Sequence, residues 1–181
     1  MRFIPTSIPD ALLIEPDVHA DSRGFLMETW HRARFAAHGI DNDFVQANHT
    51  RSVEGALRGL HYQIRQPQGK LVRVTLGEVF DVAVDLRRSS RTFGHWVGVY
   101  LSADNRRILW VPPGFGHGFY VTRGPAEVQY QCSDYYAPEH ERCIRFDDAD
   151  LAIAWPLVGA PILSERDRTR GQPFAGAELF P

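Results

Sequence analysis

Lysine is nearly missing from this chain: Lys70 is the only one among 181 residues, against nineteen arginines. An arginine-rich coding bias explains the scarcity but not where the survivor stands. Excess charge of one sign is also lacking. The net charge is −2 and the pI is near 6.4, so there is no electrostatic case for nucleic acid or an anionic membrane as partner. No apolar run approaches the roughly 20 residues of a membrane span, and Met1-Arg2-Phe3-Ile4-Pro5 does not open a secretion signal. The two cysteines, Cys132 and Cys143, form neither a metal-binding nor a redox spacing. A soluble protein of a reducing cytoplasm is expected, with one domain over residues 1–181.

What the chain does have is alternation. Ala11–Glu15, Phe25–Trp30, Phe44–Thr50, Leu71–Leu76, Glu78–Leu86, Trp96–Leu101 and Ile108–Val111 read as strands. Phe119–Thr122 and Glu127–Cys132 read as a hairpin around Gly124-Pro125, and His31–His38 as a short helix stopped by Gly39. Within Glu78–Leu86, Phe80, Val82, Val84 and Leu86 share one face, and Val79, Asp81, Ala83 and Asp85 the other. The tail from Asp147 on reads as loop and turn. About ten short strands with turn signals between them predict an all-β fold, a sandwich or jelly roll with a few short helices.

The stretch richest in chemistry is Ala56 to Gln63 with its continuation Gln68 to Arg73. Read as a strand, it puts Ala56, Arg58, Leu60 and Tyr62 on one face, with Leu57, Gly59, His61 and Gln63 on the other. A hairpin with the following strand would bring His61 and Lys70 to one ligand. His61 is a candidate base, since imidazole titrates near working pH. Asp167 could orient it by accepting its second N–H, and Tyr130 could act as an acid. Lys70 and Arg58 could hold phosphate or a developing oxyanion. Each also has a plainer reading as a core aromatic, a structural histidine or a solvated charge. A metal in a barrel mouth needs several converging His and carboxylate ligands. The residue two beyond His61 is Gln63, and His117 alone makes no site, so the barrel is read as metal-free.

The motifs together resemble one family. Arg58-Gly59-Leu60-His61-Tyr62-Gln63, Gln68 to Arg73, Gly77 to Asp85 and Pro113 to Phe119 are similar to the dTDP-4-dehydrorhamnose 3,5-epimerases, as are Asp21 to Phe25, Trp155-Pro156 and Leu163 to Asp167. The resemblance implies a cupin-type jelly roll, a homodimer, a dTDP-sugar substrate and an epimerase that needs no cofactor and no metal. It implies His61 as base, Asp167 as its orienting partner, Tyr130 as proton donor and Lys70 beside the enolate oxygen. Arg58, His117, Gln46 and Asn48 match substrate-binding positions, as Glu141 and Arg166 do, and Tyr136 packs on the nucleotide. Arg23 and Glu28 match nucleotide-binding positions that reach a neighbouring subunit's site, and Phe25 matches a substrate-binding position. Ala47 stands where Asp is usual, Gly116 where Ala is usual, and Arg166 where Lys is frequent. These departures leave open a single-centre epimerase of an antibiotic-sugar pathway. A sugar-binding cupin without catalysis, a metal-dependent oxygenase and a ketoisomerase are the more distant alternatives.

Overall fold

Proline and glycine cut the chain into extended runs, and the computed structural model describes all of residues 1–181. In order these are β1 (Arg2–Pro5), β2 (Leu12–Glu15), β3 (Val18–Asp21), β4 (Gly24–Met27), α1 (Arg32–Ala36), β5 (Gln46–Ser52), β6 (Leu57–Gln63) and β7 (Lys70–Asp85). There follow β8 (Trp96–Ser102), β9 (Ile108–Val111), β10 (Phe115–Cys132), β11 (Glu141–Cys143) and α2 (Glu165–Arg170). The expected all-β class stands. Three expected details of the strands do not.

The runs on either side of Gly77 are one sixteen-residue strand, β7. Likewise Phe119–Thr122 and Glu127–Cys132 are not a hairpin but parts of one eighteen-residue strand, β10, which passes through Gly124-Pro125. The pairing of β7 with β10 shifts register between Val121 and Val128, so both strands bend there together. A Cβ at Gly77 would lie 2.5 Å from the Arg123 carbonyl oxygen, and its φ is +72°. Only glycine fits that bend.

The bend divides the long pair between two layers. The first half of β7 and the second half of β10 sit with β9, β2 and β1 on one side and β5 on the other. The remaining halves sit with β8 on one side and β6 and β11 on the other. Fifteen buried residues from both layers, among them Val72, Val79, Leu101, Leu109, Phe119 and Val128, form the filling. This is the cupin-type jelly roll. Phe80, Val82, Val84 and Leu86 face the other way as expected, into a second cluster with Leu60, Tyr62 and Ile144.

The third correction concerns the opening stretch. β6 does not pair with β7; it pairs with β10 and β11. His61 and Lys70 lie opposite His117 and Cys132, far apart along β10, and it is the bend carrying β10 from one layer to the other that brings both to one cavity. Simple alternation also fails, because the three-residue step from Arg58 to His61 opposes the two-residue step from Phe119 to His117. The extra residue is a bulge that re-aims a side chain. Arg58 and His61, expected on opposite faces, both line the same cavity. Gly59 makes room for this: its φ is +123°, and a Cβ there would meet Gly118 Cα at 2.5 Å.

Candidate active site

Inside the jelly roll, strand ends and one helix terminus converge on a cavity of about 210 Å³. It is lined by Arg58, His61, Lys70, His117, Tyr130 and Asp167, with Thr50, Ser164 and Arg166 among the remaining walls. Six chemically capable side chains thus meet there from β6, β7, β10 and α2.

Asp167 arrives on a helix, α2, where the sequence predicts loop and turn. Ser164 caps α2: its hydroxyl accepts from the Asp167 N–H at 3.0 Å and donates to Asp167 Oδ2 at 2.9 Å. The reciprocal bonding follows the logic of a capping box. It leaves Oδ1 free to accept from His61 Nε2 at 2.5 Å. Burial alone would raise the Asp167 carboxyl, but the bond to His61, its charge, Ser164 and Arg166 hold it below the usual carboxylate range. Asp167 is therefore a fixed negative charge behind a partly exposed imidazole, a geometry that fixes the tautomer and steadies an imidazolium.

Lys70 begins β7 with no salt-bridge partner. Burial pushes its ammonium below the usual lysine range, and the neighbouring Cys132 and Asp81 work against that shift. A cation left without a counterion in a cavity is free for an oxyanion. Tyr130 sits on β10 between Asn48 of β5 and Val72 of β7. Burial raises its phenol pKa, chiefly by desolvation, so it holds its proton at neutral pH. His117 is buried and bonded through Nε2 to Asp81 Oδ1 at 2.9 Å. Asp81 is fully buried, and its other oxygen has no partner. The sequence reading gave Asp81 no role; a carboxylate at a buried strand position was the available signal.

The other expected residues separate into two groups. Tyr136, Glu141 and Arg166 form a cluster at the rim. The Tyr136 hydroxyl donates to Glu141 Oε2 at 2.7 Å, and the Arg166 guanidinium is ion-paired with Glu141. Arg166 also borders a surface groove with Tyr136 and Arg170. Gln46 belongs beside this cluster, accepting from the Tyr136 N–H at 2.9 Å and donating to Asn48. Arg23, Phe25 and Glu28 are not brought to the cavity of their own chain. Arg23 and Phe25 belong to the β3–β4 hairpin, a two-stranded sheet apart from the main one, and Glu28 follows it. The Arg23 side chain is 89% exposed and paired only with Asp21, and Glu28 accepts from Arg34 at 3.1 Å.

A second cavity, of about 350 Å³, touches Tyr130 and Asn48. Its other walls include His49, Arg73, Gln129 and Gln131, which alternate out of phase with Tyr130. It lies on the sheet's opposite face, away from His61.

An imidazole bonded to a carboxylate, a buried phenol and an unpaired ammonium, all lining one cavity of a cupin-type jelly roll, are the equipment of an acid–base isomerase. The family model for dTDP-4-dehydrorhamnose 3,5-epimerase matches residues 5–173, and the chain belongs to that family. It is 58% identical to the dTDP-4-dehydrorhamnose 3,5-epimerase of Pseudomonas aeruginosa, over the whole of both chains. It superposes with a TM-score of 0.95 on the dTDP-6-deoxy-D-glucose-3,5-epimerase of Legionella pneumophila, solved with dTDP-4-keto-L-rhamnose. That protein is 48% identical, with 99% of this chain and 97% of that one covered. A 3'-monoepimerase of Streptomyces bikiniensis, solved with dTDP-quinovose, is also similar, at TM-score 0.87 and 36% identity over 94% of this chain and 87% of that one.

Proposed function

We propose that the protein inverts C3 and C5 of dTDP-4-dehydro-6-deoxy-D-glucose, giving dTDP-4-dehydro-L-rhamnose for dTDP-L-rhamnose synthesis. The C4 ketone makes the protons on both neighbouring carbons acidic. His61 removes such a proton, with Asp167 stabilising the imidazolium that results. The electron pair moves onto the C4 oxygen, where Lys70 meets the enolate charge. Tyr130 returns a proton from the opposite face, and the centre inverts. The reaction is redox-neutral, so no cofactor enters. The observation that carries this reading is the meeting of the His61–Asp167 pair, Lys70 and Tyr130 in one cavity.

That cavity is smaller than the roughly 300–1,000 Å³ that holds a drug-sized ligand, which suits a sugar ring with its nucleotide lying outside. Arg58 and His117 bind the sugar, with Gln46 and Asn48 beside them; Tyr136, Glu141 and Arg166 bind nearer the nucleotide. In the homodimer the β3–β4 hairpin supplies Arg23, Phe25 and Glu28 to the neighbour's site. The exposure of Phe25 and Leu26, 55% and 73%, supports a partner covering that hairpin. The chain acts as one domain over 1–181, in the cytoplasm, without nucleic acid; no helix is long and apolar enough to cross a membrane.

The test is a proton NMR time course with dTDP-4-dehydro-6-deoxy-D-glucose in deuterated water. Deuterium at both C3 and C5 is expected. Label at one carbon alone assigns a single-centre epimerase, and no exchange at either overturns the reading.

A further inference from the structure

Cys143 has no part in these proton transfers, yet it stands against the group that performs them. β11 pairs with β6 so that Cys143 lies directly opposite His61, and directly paired residues share a face of the sheet. α2 delivers Asp167 to the same point. One ligand atom from each of His61, Cys143 and Asp167 falls within 4.8 Å of the other two.

Around a tetrahedral zinc, bonds of about 2.0 Å to nitrogen or oxygen and 2.3 Å to sulfur hold ligand atoms about 3.3–3.7 Å apart. The three groups reach that arrangement if the sulfur closes by about 1 Å and the His61–Asp167 contact opens by a similar amount. The donor set is also selective. A thiolate beside an imidazole suits zinc or cadmium and disfavours magnesium and calcium, which take oxygen ligands. Cys143 and Asp167 are buried, whereas the His61 side chain is 28% exposed and fronts the cavity. A fourth position open to water on that side is the pattern of three-ligand zinc sites.

We propose that His61, Cys143 and Asp167 form an inhibitory site for a thiophilic divalent cation, zinc or cadmium. The Nε2 proton that faced Asp167 passes to Nδ1, the freed Nε2 lone pair and the thiolate bind the cation, the thiol proton leaves to solvent, and no electrons are transferred. An imidazole bonded to the cation accepts no proton from carbon, while Arg58, Lys70 and His117 remain able to hold the sugar. Turnover therefore stops without loss of the sugar-binding groups. The inhibition rests on the function proposed above; the binding does not.

The two are measured separately on the intact protein. Cadmium titration reads the ultraviolet thiolate–cadmium absorption, and zinc titration reads epimerisation. Expected are one cadmium per chain, an absorption that survives Cys132→Ser but not Cys143→Ser, and a weakened one in His61→Asn, which keeps the thiol. Zinc should lower turnover at least tenfold, reversibly with chelator. In Cys143→Ser, which turns over normally, the zinc needed should rise by at least the roughly 10- to 100-fold that losing a supporting group costs a metal site. Absorption that persists in Cys143→Ser, or equal zinc sensitivity in that variant, overturns the site. A wild-type protein that binds cadmium but never turns over the sugar would count against the proposed function and leave the metal site standing.

Discussion

Replacing Asp167 with Asn tests the centre of the proposed mechanism, because it removes a charge while keeping the shape. The amide can still accept from His61 with one end and face the Ser164 hydroxyl with the other, so the start of α2 is retained. What is lost is the negative charge behind the imidazolium. Taking the charge centres about 4 Å apart and an effective dielectric near 20, that interaction is about 4 kcal/mol, or roughly a thousandfold in rate. His61 is partly exposed, which screens the interaction and makes the thousandfold an upper figure. We expect kcat for Asp167→Asn to fall between about 100- and 1,000-fold. KM should change little, since in the proposed mechanism Arg58 and His117 bind the sugar and Lys70 meets its C4 oxygen. Solvent-deuterium uptake at saturating substrate, with circular dichroism to show an intact fold, measures it. A folded Asp167→Asn variant with kcat close to wild type would refute the electrostatic role, and so would a loss confined to KM.

Tyr130→Phe separates the two halves of the reaction: deuterium should still enter through His61 while the inverted product falls sharply, as mass and NMR analysis of the sugar would show. Lys70→Met should cost roughly 100- to 1,000-fold in kcat, as loss of one oxyanion donor does. In the wild type the alkaline limb of the pH–rate profile should lie below the usual lysine range, because burial lowers the Lys70 pKa and the neutral amine no longer stabilises an enolate. Asp85, which accepts from Arg87, Ser90 and Thr92, has its pKa lowered to about 2 from 3.8. A depressed acid contributes stability above its unfolded pKa and loses it as pH falls through the folded value. Denaturant melts should therefore show Asp85→Asn less stable by about 2 kcal/mol at neutral pH, with the gap closing between pH 3.8 and about 2.

The alternation of apolar residues made the class of the fold legible, and it identified the two faces correctly from Phe80 in β7 to Leu86 just beyond it. It failed where backbone geometry overrides period two. Gly77 and Gly124-Pro125 look like turns, yet there they are bends within continuous strands, because the partner strand bends with them. The bulge between Arg58 and His61 cannot be seen from one strand alone, since it exists only in the count against β10. Motifs named His61, Lys70, Tyr130 and Asp167, but not that they line one cavity. Asp167 lies 106 positions from His61, and only the docking of α2 joins them. The Ser164-x-x-Asp167 pattern did carry the signal for that helix. Spacing to Cys132 gives Cys143 no role, whereas its neighbours across the sheet give it a setting.

The two long strands described above belong to both layers at once. Because β7 and β10 lend one half of their length to each sheet, neither layer can come apart while the other persists. Cooperative units in proteins usually follow such shared elements. The amides of β7 and β10 should then exchange with solvent only when the whole molecule opens. Catalysis inherits the same property: His117 and Tyr130 ride on one unbroken backbone, so heat or denaturant should abolish activity and structure in a single step, with no folded but inactive form between.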